Sequence, residues 1–438
     1  MNMDHKGWAM LVLVVGGLVV GSYMLGVRQA GQAPTPPAVV STAAAPAASG
    51  GAGVLPPGAR MPADHPPLDQ PSVQPRLPGT RPASPRQAGL QGHPGGAVPF
   101  THFRVGNRNV KGIMLDGDYT WIATSGGVIR YDTREDTHKV FDNRLDGILS
   151  NGIFHISKLG ERVVVGTYGG GLSVYDPRSD QWRNYNIPEG LADQFVYDTA
   201  MTPEGDLWIA TWSGVNRVRG AQLDDPSQWE TFTMESTGGG LPNPWVYGVE
   251  VGRDGEIWFG TEEGLARYKD GEWRNWQHSD GLGAPYELVK DALQATNDPA
   301  RASQHHAQQK SAQGMEEVDV AYNPNYIISL AVDSRGVVWC GTWGAGLARF
   351  DGRTWRNFTT ADGLPSTHIF MLHIDRDGIL WAGTSKGLVK VLDDGRRFQV
   401  MTRADGLFAD NVFSMAKAPD GTLWVGSFGG VARLAAGG

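Results

Sequence analysis

Residues Trp208-Ile209-Ala210-Thr211 form a short pattern that recurs throughout the C-terminal three quarters of the chain. The other copies are Trp121-Ile122-Ala123-Thr124, Val164-Val165-Gly166-Thr167, Trp258-Phe259-Gly260-Thr261, Trp339-Cys340-Gly341-Thr342, Trp381-Ala382-Gly383-Thr384 and Trp424-Val425-Gly426-Ser427. Successive copies are 43, 44, 50, 81, 42 and 43 residues apart. A repeat of this length is typical of propeller blades, each of which is one small sheet.

Each copy lies within the same succession of strand and turn signals. In the fourth copy these are the apolar run Val246–Val251, the turn Asp254-Gly255, the Trp258 strand, a third strand Gly264–Tyr268, the aromatic strand Trp273–Trp276 and the turn Asp280-Gly281-Leu282. Asp-Gly supplies the positive φ that tight hairpins need. Four strands per repeat predict an all-β chain whose blades are four-stranded sheets.

The two ends of the repeat region complement each other. The last copy stops after its third strand, Val431–Leu434, while an additional aromatic strand, Phe100–Val105, precedes the first copy. We therefore expect residues 99–436 to form a seven-bladed β-propeller whose ring is closed by the N-terminal strand completing the C-terminal blade. Closure of this kind protects sheet edges from pairing with other chains.

The first 98 residues differ in composition from the repeats. Residues 7–27 contain no charged side chain, and this uncharged stretch is as long as a helix needs to be to cross a bilayer. Residues 1–6 would form a short cytoplasmic tail. Residues 28–98 are rich in Pro, Ala and Gly and predict a disordered linker. The favoured interpretation is an uncleaved signal anchor; the alternative is a signal peptide cleaved near Gly31-Gln32-Ala33.

Charge and cysteine content exclude several classes of function. The net charge is −8, and an acidic body repels phosphate backbones, so nucleic acid is not expected as a partner. Cys340 is the single cysteine, which excludes an internal disulfide and a cysteine-based zinc site.

The repeats resemble the two-component regulator propeller family. Its pattern of Asp-Gly-Leu, an apolar strand, Asp-x-x-Gly and Trp-x-Gly-Thr-x-x-Gly-Leu is followed almost throughout by residues 362–388. The resemblance covers Phe100 to Leu434 and implies the periplasmic sensor region of a membrane-bound histidine kinase. Nothing in the sequence resembles the kinase portion itself, so a binding role carries over and any signal would pass through a separate partner protein.

Aligning the copies on their Thr or Ser predicts two sets of residues at one mouth of the central channel. One set lies sixteen residues before the repeat Thr or Ser, and the other set immediately follows that residue. These candidate ligand-binding residues are Asn151, Tyr168, Phe195, Trp212, Trp245, Glu262, Tyr326, Trp343, His368, Asn411 and Phe428. Aromatic and polar side chains in a concave mouth can stack on rings and form hydrogen bonds. The alternative is that several of them are framework residues of the repeat.

The long interval between the fourth and fifth copies contains an insertion, residues 283–324, which should emerge on the same face. A modest helical pattern begins at Tyr286, and His305-His306 lacks a third ligand at metal-binding spacing. The sequence predicts no catalytic residue, no metal site and no cofactor. A propeller lyase is the less favoured enzymatic alternative, because the mouth supplies only His368 and Glu262 for acid–base or metal chemistry.

These observations favour a sensory or ligand-recognition module in the bacterial periplasm, held in the inner membrane by a single pass through residues 7–27. Its ligand would be a small molecule, a glycan or a peptide, and its partner an envelope or membrane protein. The alternative is a protein–protein interaction scaffold of an envelope complex that uses the same face or the blade rims.

Overall fold

The computed structural model describes residues 100–293, 307–308, 310–311, 318 and 320–435. The predicted tail (1–6), span (7–27) and linker (28–98) lie outside the described residues. Within the described ranges, no helix is long and apolar enough to cross a membrane.

The described region is built almost entirely from antiparallel strands. The strands of the first three copies are β1 (Phe100–Asp116), β2 (Tyr119–Thr124), β3 (Gly127–Asp132), β4 (Thr137–Phe141), β5 (Ile153–Leu159), β6 (Arg162–Thr167), β7 (Leu172–Asp176), β8 (Gln181–Tyr185), β9 (Val196–Met201), β10 (Leu207–Thr211), β11 (Gly214–Val218) and β12 (Trp229–Phe232). The remaining strands are β13 (Val246–Val251), β14 (Ile257–Thr261), β15 (Gly264–Lys269), β16 (Glu272–Trp276), β17 (Asn323–Val332), β18 (Val338–Trp343), β19 (Leu347–Phe350), β20 (Trp355–Phe358), β21 (Ile369–Ile374), β22 (Leu380–Thr384), β23 (Gly387–Leu392), β24 (Arg397–Met401), β25 (Val412–Lys417) and β26 (Leu423–Leu434). A short helix, α1 (Tyr286–Val289), follows β16.

The prediction of seven blades is wrong, because these strands form six sheets. Five sheets contain four consecutive strands each, and the sixth has the order β25-β26-β1-β2-β3-β4. Both β1 and β26 run on through the positions where the sequence predicted strand ends, and Asn109 pairs with Phe428 between their two halves. The first and last copies therefore share one six-stranded sheet instead of forming separate blades.

The chain ends are joined within this six-stranded sheet. Residues Phe100 to Arg104 of β1 pair with Leu434 to Gly430 of β26, while residues 110–116 of β1 pair with β2. The predicted pairing of the N-terminal strand with the C-terminal copy is thus present. Because β1 and β26 pair with each other, neither of these two strands is left as an open sheet edge.

The turns between successive sheets are set by the Asp-Gly-Leu sequences. The Asp362 carboxylate accepts a hydrogen bond from the backbone N–H of Thr359 at 2.9 Å, and Gly363 follows with a φ of 101°. The same arrangement occurs at Asp280-Gly281 and Asp405-Gly406. The leucine that ends each turn is buried between neighbouring sheets, so the turn fixes where the next first strand begins.

Each sheet is locked to its neighbour through the Trp-x-Gly/Ala pattern. A methyl group added at Gly260 would lie 2.7 Å from Ile327 on β17, and one at Gly383 would lie 2.6 Å from the carbonyl oxygen of Val412 on β25.

Six repeat tryptophans are buried and lie beneath a cation of the third strand. The pairs are Trp121 with Arg130, Trp208 with Arg217, Trp258 with Arg267, Trp339 with Arg349, Trp381 with Lys390 and Trp424 with Arg433.

Removing the closing strand should destabilise the ring. A chain that starts at Asn107 loses the pairing with Gly430–Leu434 and the hydrogen bond between His102 Nε2 and the carbonyl oxygen of Gly406 (3.0 Å). Because an unpaired edge is exposed, we expect a lower melting temperature and aggregation on heating. The control is a chain that starts at residue 99. Equal melting of the two truncated chains would contradict this closure.

Candidate functional site

The second-to-third and fourth-to-first strand loops lie at one end of the ring and hold the predicted mouth residues. The repeat threonine fixes the first of these loops, because its buried hydroxyl donates a hydrogen bond to the carbonyl oxygen of the glycine that opens the third strand. In the fourth copy Thr261 Oγ1 lies 2.8 Å from the oxygen of Gly264. The same bond is made by Thr124, Thr167, Thr211, Thr342 and Thr384.

The two predicted sets of residues meet in pairs. The backbone N–H of Trp212 donates to the carbonyl oxygen of Phe195 at 3.1 Å, and that of Glu262 donates to Trp245 at 3.2 Å. In the third and fourth copies the two aligned positions are therefore hydrogen-bonded neighbours.

Four of the predicted residues form one buried aromatic cluster across the second to fourth copies. Tyr168, Phe195, Trp212 and Trp245 are each at most 6% exposed. Trp212 and Trp245 stack with ring centroids 3.8 Å apart, and Tyr168 meets Phe195 edge-on at 4.9 Å. Packing of this density makes these four residues part of the framework of the face.

Three further predicted residues form a second group on the fifth and sixth copies, in which Tyr326 is buried and Trp343 and His368 are half-buried. Tyr326 stacks on Trp343 at 5.9 Å, and His368 meets Trp343 edge-on at 5.4 Å. Trp343 is half-buried, and its indole N–H has no hydrogen-bond partner among the described residues. Burial lowers the pKa of His368, whose Nε2 lies 2.9 Å from the carbonyl oxygen of Ala321.

The remaining predicted residues lie apart from these two groups. The Asn151 side chain exchanges hydrogen bonds with Asn143, at 2.7 Å to its backbone N–H and 2.8 Å to its amide oxygen. Asn411 is exposed, and Phe428 is 37% exposed beside its pairing with Asn109. Asn151 therefore has a local structural role in the loop that precedes β5.

A ring of inner-strand aromatics was missed by the sequence analysis. These residues are the second of the first strand in five of the copies: Phe154, Tyr197, Tyr247, Phe370 and Phe413. Tyr197 contacts Phe154 at 4.7 Å and Tyr247 at 4.8 Å, and Tyr247 contacts Tyr326 at 4.9 Å. The available signal was an aromatic residue directly after the buried Val or Ile that opens these first strands.

Glu262 places a carboxyl group within this aromatic surrounding. Its side chain is fully buried, whereas Trp212 and Trp343 occupy the equivalent position in neighbouring copies. Burial, together with the nearby Glu262 charge, raises the pKa values of Tyr197, Tyr247 and Tyr326 above the usual range. These phenols therefore keep their protons at neutral pH and remain hydrogen-bond donors.

The described parts of the insertion pack beside Trp343. Ala284, Val289 and Tyr322 form a buried cluster with Ala345, and the Tyr322 hydroxyl donates to the carbonyl oxygen of Ala284 at 2.8 Å. Lys310 Nζ donates to the carbonyl oxygens of Val318 and Val320. His305 and His306 lie outside the described residues, and within the described ranges no three His, Cys, Asp or Glu side chains are grouped to hold a metal.

The fold and this face define a β-propeller whose channel mouth is lined by aromatic side chains. The family described as two component regulator propeller matches residues 240–263, 321–344, 363–386 and 406–429. The predicted resemblance is confirmed, and the chain carries two component regulator propeller repeats. No match to its sequence was found among curated proteins.

Solved structures share the fold at low sequence identity. The extracellular domain of the putative hybrid two component system BT3049 from B. thetaiotaomicron has a TM-score of 0.57 and 18% identity over 77% of this chain. The corresponding domain of the putative one component system BT4673 from the same organism has a TM-score of 0.53 and 20% identity over 77%. The chain spans only 42% and 39% of those two proteins.

An enzyme also shares the fold. Virginiamycin B lyase from Staphylococcus aureus has a TM-score of 0.54 and 10% identity, covering 77% of this chain and 99% of the lyase. At these identities each similarity shows the fold alone.

Proposed function

We propose that the chain is a membrane-anchored periplasmic recognition module that acts through a separate partner protein. Its propeller binds a small molecule, glycan or peptide at the aromatic channel mouth. The fold and the repeats are those of extracellular regions of two-component systems, which favours a sensory role. The anchor is residues 7–27, and the linker 28–98 gives the propeller reach from the inner membrane.

The half-buried Trp343, stacked on the buried Tyr326, is the observation that supports this function most strongly. Trp343 offers a half-buried aromatic ring, while its indole N–H is buried and has no hydrogen-bond partner among the described residues. Stacking on one ring adds about 1 kcal/mol to the binding free energy.

Replacing Trp343 by Ala should therefore weaken ligand binding about fivefold. Ligands would come from an array of glycans and peptides, and each hit would be titrated against the wild type and the variant. The matched control is Trp355→Ala. Trp355 lies on β20 of the same sheet, is also half-buried, stacks on Phe350 at 4.6 Å and has an unpartnered indole N–H, but lies on the outermost strand.

The comparison between the two variants separates recognition from folding. Both should lose similar amounts of thermal stability, because both remove a partly buried ring from the same sheet. Only Trp343→Ala should lose affinity. Equal affinities in both variants would remove this face as the ligand site.

A second candidate function is docking of another envelope protein on the same face. Nine large hydrophobic side chains are prominently exposed in the described region, and most lie in loops of this face. Those in its fourth-to-first strand loops are Leu145, Leu149, Ile187, Met234 and Leu288, and Phe428 lies in a second-to-third strand connection. Exposed apolar side chains concentrated on one face favour a protein interface.

Cell fractionation tests the proposed location. The full-length protein should sediment with the inner membrane, and added protease should reach the propeller only after the outer barrier is breached. A soluble mature chain that begins near Thr35 would instead show a cleaved signal peptide. A propeller that is protected from protease in spheroplasts with an intact inner membrane would contradict export.

A further inference from the structure

Glu250 is an interior carboxylate that neither the mouth nor the framework explains. It lies on β13, an innermost strand of the ring, and pairs across the sheet with the repeat tryptophan Trp258. In the other six copies, the first-strand residue that pairs with the repeat tryptophan (Val164 takes the place of this tryptophan in the second copy) is not acidic. These residues are Met114, Ser157, Ala200, Ala331, His373 and Ala416. Glu250 is the only acid in this position.

The carboxylate of Glu250 has no ionic partner. It takes part in no salt bridge or hydrogen bond within the described region, although the protein encloses it so that it is only partly accessible. An unpaired carboxylate in such a place is expensive, because burial disfavours its charged form. Groups whose ionisation is disfavoured in this way cluster at functional sites.

Asp198 on the neighbouring strand β9 adds a second negative charge. Its Oδ2 accepts a hydrogen bond from the backbone N–H of Val249, the residue before Glu250, at 2.9 Å. Its Oδ1 lies 2.8 Å from His155 Nδ1, and His155 Nε2 lies 2.9 Å from Thr199 Oγ1. Asp198 is therefore fixed and its oxygens are occupied, whereas the Glu250 oxygens are available.

The other elements packed against β13 bring no cation to balance these charges. Neither β17 nor β14 contains a Lys, Arg or His, and His373, which holds the equivalent position on β21, has its pKa lowered by burial. Although His155 contacts Asp198, no three His, Cys, Asp or Glu side chains of the described region are grouped so that they could hold a metal ion. A compact cation that donates hydrogen bonds fits this arrangement better than a metal ion does.

We propose that the interior of the ring beside β13 binds a primary ammonium group, with Glu250 as its hydrogen-bond acceptor and Asp198 as a second, fixed anion. This site is distinct from the aromatic mouth and does not depend on the function proposed for it. The ammonium belongs either to a free small amine or to a lysine side chain of a peptide.

Proton linkage supplies a readout specific to Glu250. Burial, and secondarily the charge of Asp198, raises the pKa of Glu250 to about 8. An ammonium group favours the ionised carboxylate, so binding near neutral pH should release about one proton. The affinity should fall about tenfold for each pH unit below about 7.5, as Glu250 becomes protonated.

The experiment uses the purified full chain and n-butylamine, titrated calorimetrically at constant ionic strength in two buffers of different ionisation enthalpy. We expect saturable binding that releases a proton and is at least tenfold weaker in Glu250→Gln. Tetramethylammonium, which has no N–H, should not compete. A lysine-containing tripeptide with blocked ends distinguishes the two sources, since it binds as tightly as butylamine only if a peptide side chain can reach the site.

The matched control is Glu272→Gln, which removes an exposed carboxylate from β16 of the same sheet. It should bind butylamine as the wild type does, with the same proton release. The neutral glutamine resembles the protonated form of Glu250, so the variant should fold normally. Absence of saturable binding at about pH 8.5, or equal affinity and proton release in both variants, would overturn the proposal.

Discussion

The close approach of each second strand to the first strand of the next sheet is the constraint on which the structure depends. Gly166, Gly260, Gly341 and Gly383 all lie where a Cβ would come within 3.0 Å of the neighbouring sheet. The residue two positions earlier, a bulky tryptophan in all of these copies except the second, which has Val164, fills the wider space farther from this contact. Because sheets diverge from the axis, one small and one large residue per strand allow them to pack around a ring.

This constraint also positions the mouth. In the first six copies the threonine that follows the small residue is held by its hydrogen bond across the hairpin, so the next side chain occupies an equivalent place in each of them. In five copies the first strand starts at a buried aliphatic residue and an aromatic residue follows it, which places these aromatics side by side. A rigid ring therefore presents variable side chains at fixed positions, as binding folds commonly do.

Much of this arrangement could be predicted from the sequence, because it recurs. Repetition identified the strands, the turns, the pairing of the chain ends and the paired mouth positions such as Phe195 with Trp212. The number of sheets could not be predicted, because a local pattern does not show that β1 and β26 continue past Gly106 and Gly429. Burial was also hidden: Trp245 and Trp343 have similar sequence signals, yet one is packed beneath its neighbours and the other is half-open.

The central claim is that recognition occurs at the face formed by the second-to-third and fourth-to-first strand loops. Hydrogen–deuterium exchange of the full chain, with and without a captured ligand or partner, tests it most directly. If recognition occurs at this face, ligand or partner binding should slow amide exchange in the loops around residues 342–346 and 359–368, on the mouth side of the ring. Protection confined to the opposite turns, such as residues 252–256 and 375–379, would contradict it.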